Sequence, residues 1–204
     1  MLKKNDLITV TVTDMTFDGA GIGHVEESGR RFPVFVCSAA VGDTLQCRII
    51  KVLKSYAVAI PGEMITPSPD RIAPICPVAE KCGGCAFHHV SYPAELRYKT
   101  QSVRNAYRLN YPDEITVLDC VSSPRQTEYR NKLQLPLSQD GKFGFYSLHS
   151  HRVVPVQACA AGHPSFVPLI RAVEDWIADN HVPSYDESSG NGLVRHLFLR
   201  RGYH

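Results

Sequence analysis

Cys76, Cys82 and Cys85 fall within one short stretch, Cys76-Pro77-Val78-Ala79-Glu80-Lys81-Cys82-Gly83-Gly84-Cys85, and Cys159 lies alone far downstream. Four thiolates are the usual ligand set of a 4Fe-4S cluster, and a C-x5-C-x2-C loop offers three of them to one cluster face. Gly83 and Gly84 suit such a loop. Lacking Cβ atoms, they are expected to take positive φ and to turn backbone N–H groups toward sulfur. Zinc is the competing metal: structural zinc sites usually show two short Cys/His pairs, yet His88 or His89 can complete a Cys3His set. A disulfide or plain packing is the third reading. Cys76, Cys82, Cys85 and Cys159 are therefore the candidate metal ligands, with an iron–sulfur cluster ahead of zinc.

Residues 1–61 carry the pattern of a small all-β unit. Ile8, Val10 and Val12 alternate with Thr9, Thr11 and Thr13, the period-2 signature of a half-buried strand. Further strands are expected over 31–36, 44–52 and 56–60, each bounded by turn formers. So many short strands need closure to remove their edges, which predicts a five-stranded OB-like barrel. Gly19-Ala20-Gly21-Ile22-Gly23 lacks the strand–turn–helix context of a nucleotide loop and is read as a bend at a barrel corner. A Pro-rich linker over 62–75, with Pro67, Pro69 and Pro74, marks a domain boundary.

Residues 76–204 read as an α+β unit around the cysteine loop, giving a mixed β and α+β chain. Ser91 and Pro93 open a helix with an apolar stripe of Tyr92, Leu96, Val103 and Tyr107 and a basic face. A strand is expected over 115–121. A hairpin should run from 129–137 through Asp140-Gly141 to 143–146, with Arg130, Lys132 and Gln134 on its polar face. A second helix over 165–179 should bury Phe166, Leu169, Ile170, Val173, Trp176 and Ile177. A last strand over 193–201 ends close to His204, which suggests a fragment of something longer.

No apolar run is long enough to span a membrane, and the first residues lead directly into a strand rather than a secretory signal. Seven cysteines, an odd number at low density, suit a reducing cytoplasm, with Cys37, Cys47 and Cys120 as small core residues. The net charge of +2 says little about partners. Local runs say more: Arg97, Lys99, Arg104 and Arg108 share an acid-free stretch, and Arg195, Arg200 and Arg201 crowd the far end.

Taken together, the barrel, the Pro-rich linker, the cysteine loop followed by Phe87-His88-His89 and Tyr92, the run Tyr129-Arg130-Asn131-Lys132, and Arg195-His196 resemble the N-terminal part of the RNA uracil-C5-methyltransferases. The subgroup most similar is the one that methylates 23S ribosomal RNA. Glu95 and His88 depart from it, standing where glutamines are expected. The resemblance implies a TRAM domain over 1–61, a cluster-bearing central subdomain over 76–204, and four cluster ligands at Cys76, Cys82, Cys85 and Cys159. It also implies that S-adenosylmethionine, the nucleophilic cysteine that adds to uracil C6 and the base that removes the C5 proton belong to a further catalytic domain. This chain alone is then expected to be an inactive, RNA-binding, monomeric part of the enzyme, with 23S rRNA as partner. Arg130, Lys132, Lys51, Lys54, Phe17 and Phe145 are the candidate RNA contacts. The alternatives are a self-standing iron–sulfur or zinc module and a tRNA-modifying relative.

Overall fold

A computed structural model describes residues 2–27, 29–111, 115–148 and 150–202. The chain falls into two compact units, one of residues 1–74 with 86–122, the other of 75–85 with 123–204. The barrel, linker and cysteine segments expected in succession are thus interleaved, and the first helix goes with the barrel.

In the first unit, β1 (Leu7–Met15), β2 (Gly21–Glu27), β3 (Arg30–Val36), β4 (Thr44–Val52) and β5 (Ala57–Thr66) close into a barrel of order β1-β2-β3-β5-β4. Within the barrel β3 and β5 run parallel and the other described pairs antiparallel. Alternation drives the closure: Val10, Val12, Val34, Val36, Leu45, Cys47 and Ile49 point inward against Ala57 and Ala59. With β1 paired to both β2 and β4, no strand edge is left open. Two expectations fail here. The glycine run is not a corner bend: Gly21 and Gly23 lie inside β2, where a Cβ on Gly23 would overlap Val10. Nor does β5 stop at Pro61-Gly62. Pairing with β4 carries it on to Thr66 across register irregularities that absorb the proline.

Asp43 fastens the segment after β5 to the barrel. Its fully buried carboxylate accepts from Arg71 Nη2 at 2.7 Å and Nε at 3.0 Å, from Ser68 N at 2.8 Å and from Ala40 N at 2.6 Å. Beyond the strap, α1 (Tyr92–Asn110) begins at Ser91, as expected, but the Ser91 side chain makes no capping bond. The helix buries Ala94 and Thr100, and Ala94 packs with Met15, Ala40 and Val90. The expected apolar stripe is not the buried face: Val103 and Tyr107 are exposed, because small residues let the helix approach the barrel instead. Residues 115–121 form no strand; Cys120 N donates to Thr100 Oγ1 and Arg104 reaches the Val117 carbonyl, so this segment is tied to α1.

In the second unit, β6 (Lys132–Pro136), β7 (Gly144–Tyr146), β8 (Val153–Pro155), α2 (Phe166–Asp179) and β9 (His196–Arg200) follow in order. The expected hairpin forms only its turn. Ser138 and Lys142 bond across Asp140-Gly141 and a single bridge joins Leu137 to Phe143. After that β6 pairs with β9, and β7 with β8. Non-local pairing prevails because β9 supplies Leu197 and Leu199 to the same apolar layer as Leu133 and Leu135. Helix α2 covers that layer with Phe166, Ile170 and Ile177, while Leu169 and Trp176, expected to be buried, are exposed. Its Glu174 accepts from Phe143 N at 2.8 Å and from Lys142 Nζ at 3.0 Å.

Candidate functional site

All four candidate cysteines lie in the second unit. The loop is built from turns: Ala79 N donates to the Cys76 carbonyl at 3.2 Å, and Cys82 N to that of Val78 at 2.8 Å. It is then fastened to the end of β7, since Gly83 N donates to the Tyr146 carbonyl at 2.9 Å and Cys82 bridges Ser147. Cys159 comes from another place. Its side chain packs against the β6–β9–α2 core, its carbonyl accepts from Gly162 N, and the turn it opens bonds to the segment before β6 through Arg130 N to the Ala161 carbonyl. Arg130 joins the two parts: its guanidinium donates to the Gly84 carbonyl at 3.3 Å and its charge acts on Cys82 and Cys85.

Cys76 and Cys159 act electrostatically on Cys82, and all three act on Cys85. Burial raises the Cys82 thiol above its ordinary range, and Cys76 and Cys159 raise it further, against Gly84 N–H and Arg130. Burial likewise raises Cys85, opposed by Arg130 and reinforced by Cys159, Cys82 and Cys76. Such a set resists being charged as bare thiolates and gains most from a multivalent cation. Gly84 N points at Cys82 Sγ, 3.4 Å away. The two glycines serve by close approach, not by the positive φ expected of them: a Cβ on Gly84 would stand 3.3 Å from Cys82 Sγ, and one on Gly83 3.0 Å from the Tyr146 carbonyl.

Among the described residues, no three His, Cys, Asp or Glu groups stand close enough to share one metal ion. A single zinc needs its sulfurs about 2.3 Å from one centre, whereas a four-iron cluster takes one thiolate at each corner. Four thiols from two chain segments, with an N–H aimed at one sulfur, are the kind of donor set such a cluster takes. None of the seven cysteines forms a disulfide. His89 is buried in the first unit, where neither ring nitrogen finds a hydrogen-bond partner among the described residues.

The other candidates are scattered. Phe17, 83% exposed, sits on the β1–β2 turn, and Lys51 and Lys54 are exposed at the β4–β5 turn; these are two of the loops with which OB barrels hold oligonucleotides. Phe145 is half-buried against the second core. Arg130 precedes β6 and turns to the cysteine loop, so it does not extend the exposed row of Lys132 and Gln134. Three residues on that face, His196, Phe198 and Arg200 of β9, are not among the candidate RNA contacts, although the sequence singles out His196 and Arg200 for their motif and charge. Alternation with Leu197 and Leu199 was their signal, invisible until β9 was known to pair with β6.

Residues 2–61 match the TRAM domain. An uncharacterized RNA methyltransferase of Halalkalibacterium halodurans is 35% identical over 98% of this chain and 44% of its own length. Similar proteins from Staphylococcus epidermidis and Clostridium tetani, also named uncharacterized RNA methyltransferases, are 33% and 34% identical over 100% and 99% of the chain. The chain spans 44 to 45% of the length of these relatives. Among solved structures, a Pyrococcus abyssi tRNA (uracil-54, C5)-methyltransferase in complex with S-adenosyl-L-homocysteine matches 95% of this chain and 42% of its own, with TM-score 0.70 and 22% identity, a likeness of fold. The chain is thus a relative of proteins named RNA methyltransferases, with a TRAM barrel at its start.

Proposed function

We propose that this chain is the RNA-binding, iron–sulfur-bearing part of an S-adenosylmethionine-dependent RNA uracil-C5-methyltransferase, with 23S rRNA as substrate. What supports it is that Cys76, Cys82, Cys85 and Cys159 all fall in one compact unit of a chain whose other unit holds the TRAM match. Those four thiolates would hold a 4Fe-4S cluster, which supplies a rigid polyvalent crosslink between the cysteine loop and the core around Cys159. Arg130 and Gly84 N–H balance the negative charge of the thiolates. The exposed cations Lys51, Lys54 and Lys132 and the aromatic Phe17 hold single-stranded RNA, while methyl transfer and cofactor binding are assigned to the longer part of the relatives that this chain does not span. A reducing, cytoplasmic setting suits the thiols. A tRNA substrate is the second reading, favoured by the fold neighbour that acts on tRNA.

Binding of labelled single-stranded rRNA segments tests the RNA half of this reading. Affinity is expected to fall with salt, and Lys54→Ala to lower the log–log slope by about 0.7 for one lost phosphate contact. Calorimetry with S-adenosylmethionine is expected to show no stoichiometric binding to this chain. RNA affinity indifferent to salt and to Lys54→Ala, or stoichiometric cofactor binding, would overturn it.

A further inference from the structure

Alternation along the β6–β9 pair sorts most of its side chains, Pro136 opposite His196 being buried where the pattern would expose it. Leu133, Leu135, Leu197 and Leu199 join the core, and Lys132, Gln134, His196, Phe198 and Arg200 take the other face. The register sets Lys132 opposite Arg200 and Gln134 opposite Phe198. Phe198 is 56% exposed, with Lys132 Nζ 5.4 Å from its ring centroid. The exposed part of this ring gains nothing from burial within the chain, yet a ring face is attractive to a second flat ring.

The surroundings select what that ring is. No acidic residue lies on this face of either strand, and among the described residues neither Lys132 nor Arg200 pairs with a carboxylate. Aromatic surface continues past β9: His196 meets Tyr146 edge-on at 6.4 Å, and Tyr146 stacks on the exposed His151 at 5.2 Å. One exposed ring beside two cations that face each other across the strands is too little apolar surface for a protein partner. It matches a polymer that alternates flat bases with phosphates. Duplex RNA, whose bases are stacked inside, cannot use it.

We propose that the solvent face of the β6–β9 pair is a base-stacking subsite for single-stranded RNA, with Phe198 receiving a nucleobase and Lys132 and Arg200, paired across the strands beside it, a neighbouring phosphate. This rests on the RNA-binding role proposed above and adds a place and a mode of contact in the second unit.

Fluorescence anisotropy of the 204-residue chain with labelled oligouridine, its abasic counterpart and an RNA duplex tests the subsite. Phe198→Leu is expected to weaken oligouridine binding about five- to 150-fold while sparing the abasic strand and the salt slope. Phe198→Tyr should keep binding, and Lys132→Gln should lower the salt slope by about 0.7 on both strands. If Phe198→Leu binds oligouridine as the unmodified chain does, or loses the abasic strand equally, while Lys54→Ala still weakens binding, the subsite is overturned and RNA binding by the barrel stands. If the unmodified chain binds no RNA, the broader reading falls with it.

Discussion

The proposed place of Cys159 among the cluster ligands rests on what surrounds it rather than on where it stands in the chain. Its side chain is set into the leucine layer, and its turn is hydrogen-bonded to the residues leading into β6, beside Arg130. Cys159→Ser is therefore expected to abolish the visible absorption of the cluster and to lower the thermal midpoint of the second unit, since ligation ties the loop to that core. Cys120→Ser, whose thiol lies in the other unit, should change neither. An unaltered spectrum in Cys159→Ser would remove it from the ligand set. Spacing alone marked the three loop cysteines as candidate ligands. The role of Gly83 and Gly84 was misjudged, because spacing says nothing of the carbonyl and sulfur that crowd them.

Among the elements, the barrel was the most legible, since period-2 alternation and turn residues are local signals. Pairing between strands distant in sequence was not: β9 with β6 replaced the expected hairpin, and that exchange put Phe198 beside Lys132. The strap held by Asp43 was equally hidden, and it carries a stability prediction. Burial alone would raise the Asp43 carboxyl, but Arg71 and the Ser68 and Ala40 N–H groups outweigh it and hold it below the ordinary range. Its contribution is thus complete above about pH 4 and lost as pH falls below that. Asp43→Asn should cost about 3–5 kcal/mol in denaturant unfolding, because it strands a half-buried guanidinium. His89 acts in a separate window. Burial first, then His88 and Arg71, push its imidazole down to about 4. The unfolded chain protonates first, so stability should decline from about pH 6.5 toward 4, by up to about 1.4 kcal/mol per pH unit. His89→Leu should flatten that decline. A slope unchanged by the substitution would place the titrating group elsewhere.

At the scale of the whole molecule, the chain leaves and rejoins each unit: the barrel unit takes back 86–122 after the cysteine loop has crossed to the second. Sequence order alone suggested consecutive domains, since linkers are marked by proline and glycine whereas a return to an earlier unit has no compositional mark. Two chemistries, a cation-bearing TRAM barrel and a four-thiol core, are thereby carried on one interleaved chain. The central claim is that the four thiols hold one iron–sulfur cluster, and iron and acid-labile sulfide analysis of the anaerobically purified chain tests it most directly. The account predicts a brown protein with about four iron and four sulfide per chain. Stoichiometric zinc without acid-labile sulfide would contradict it.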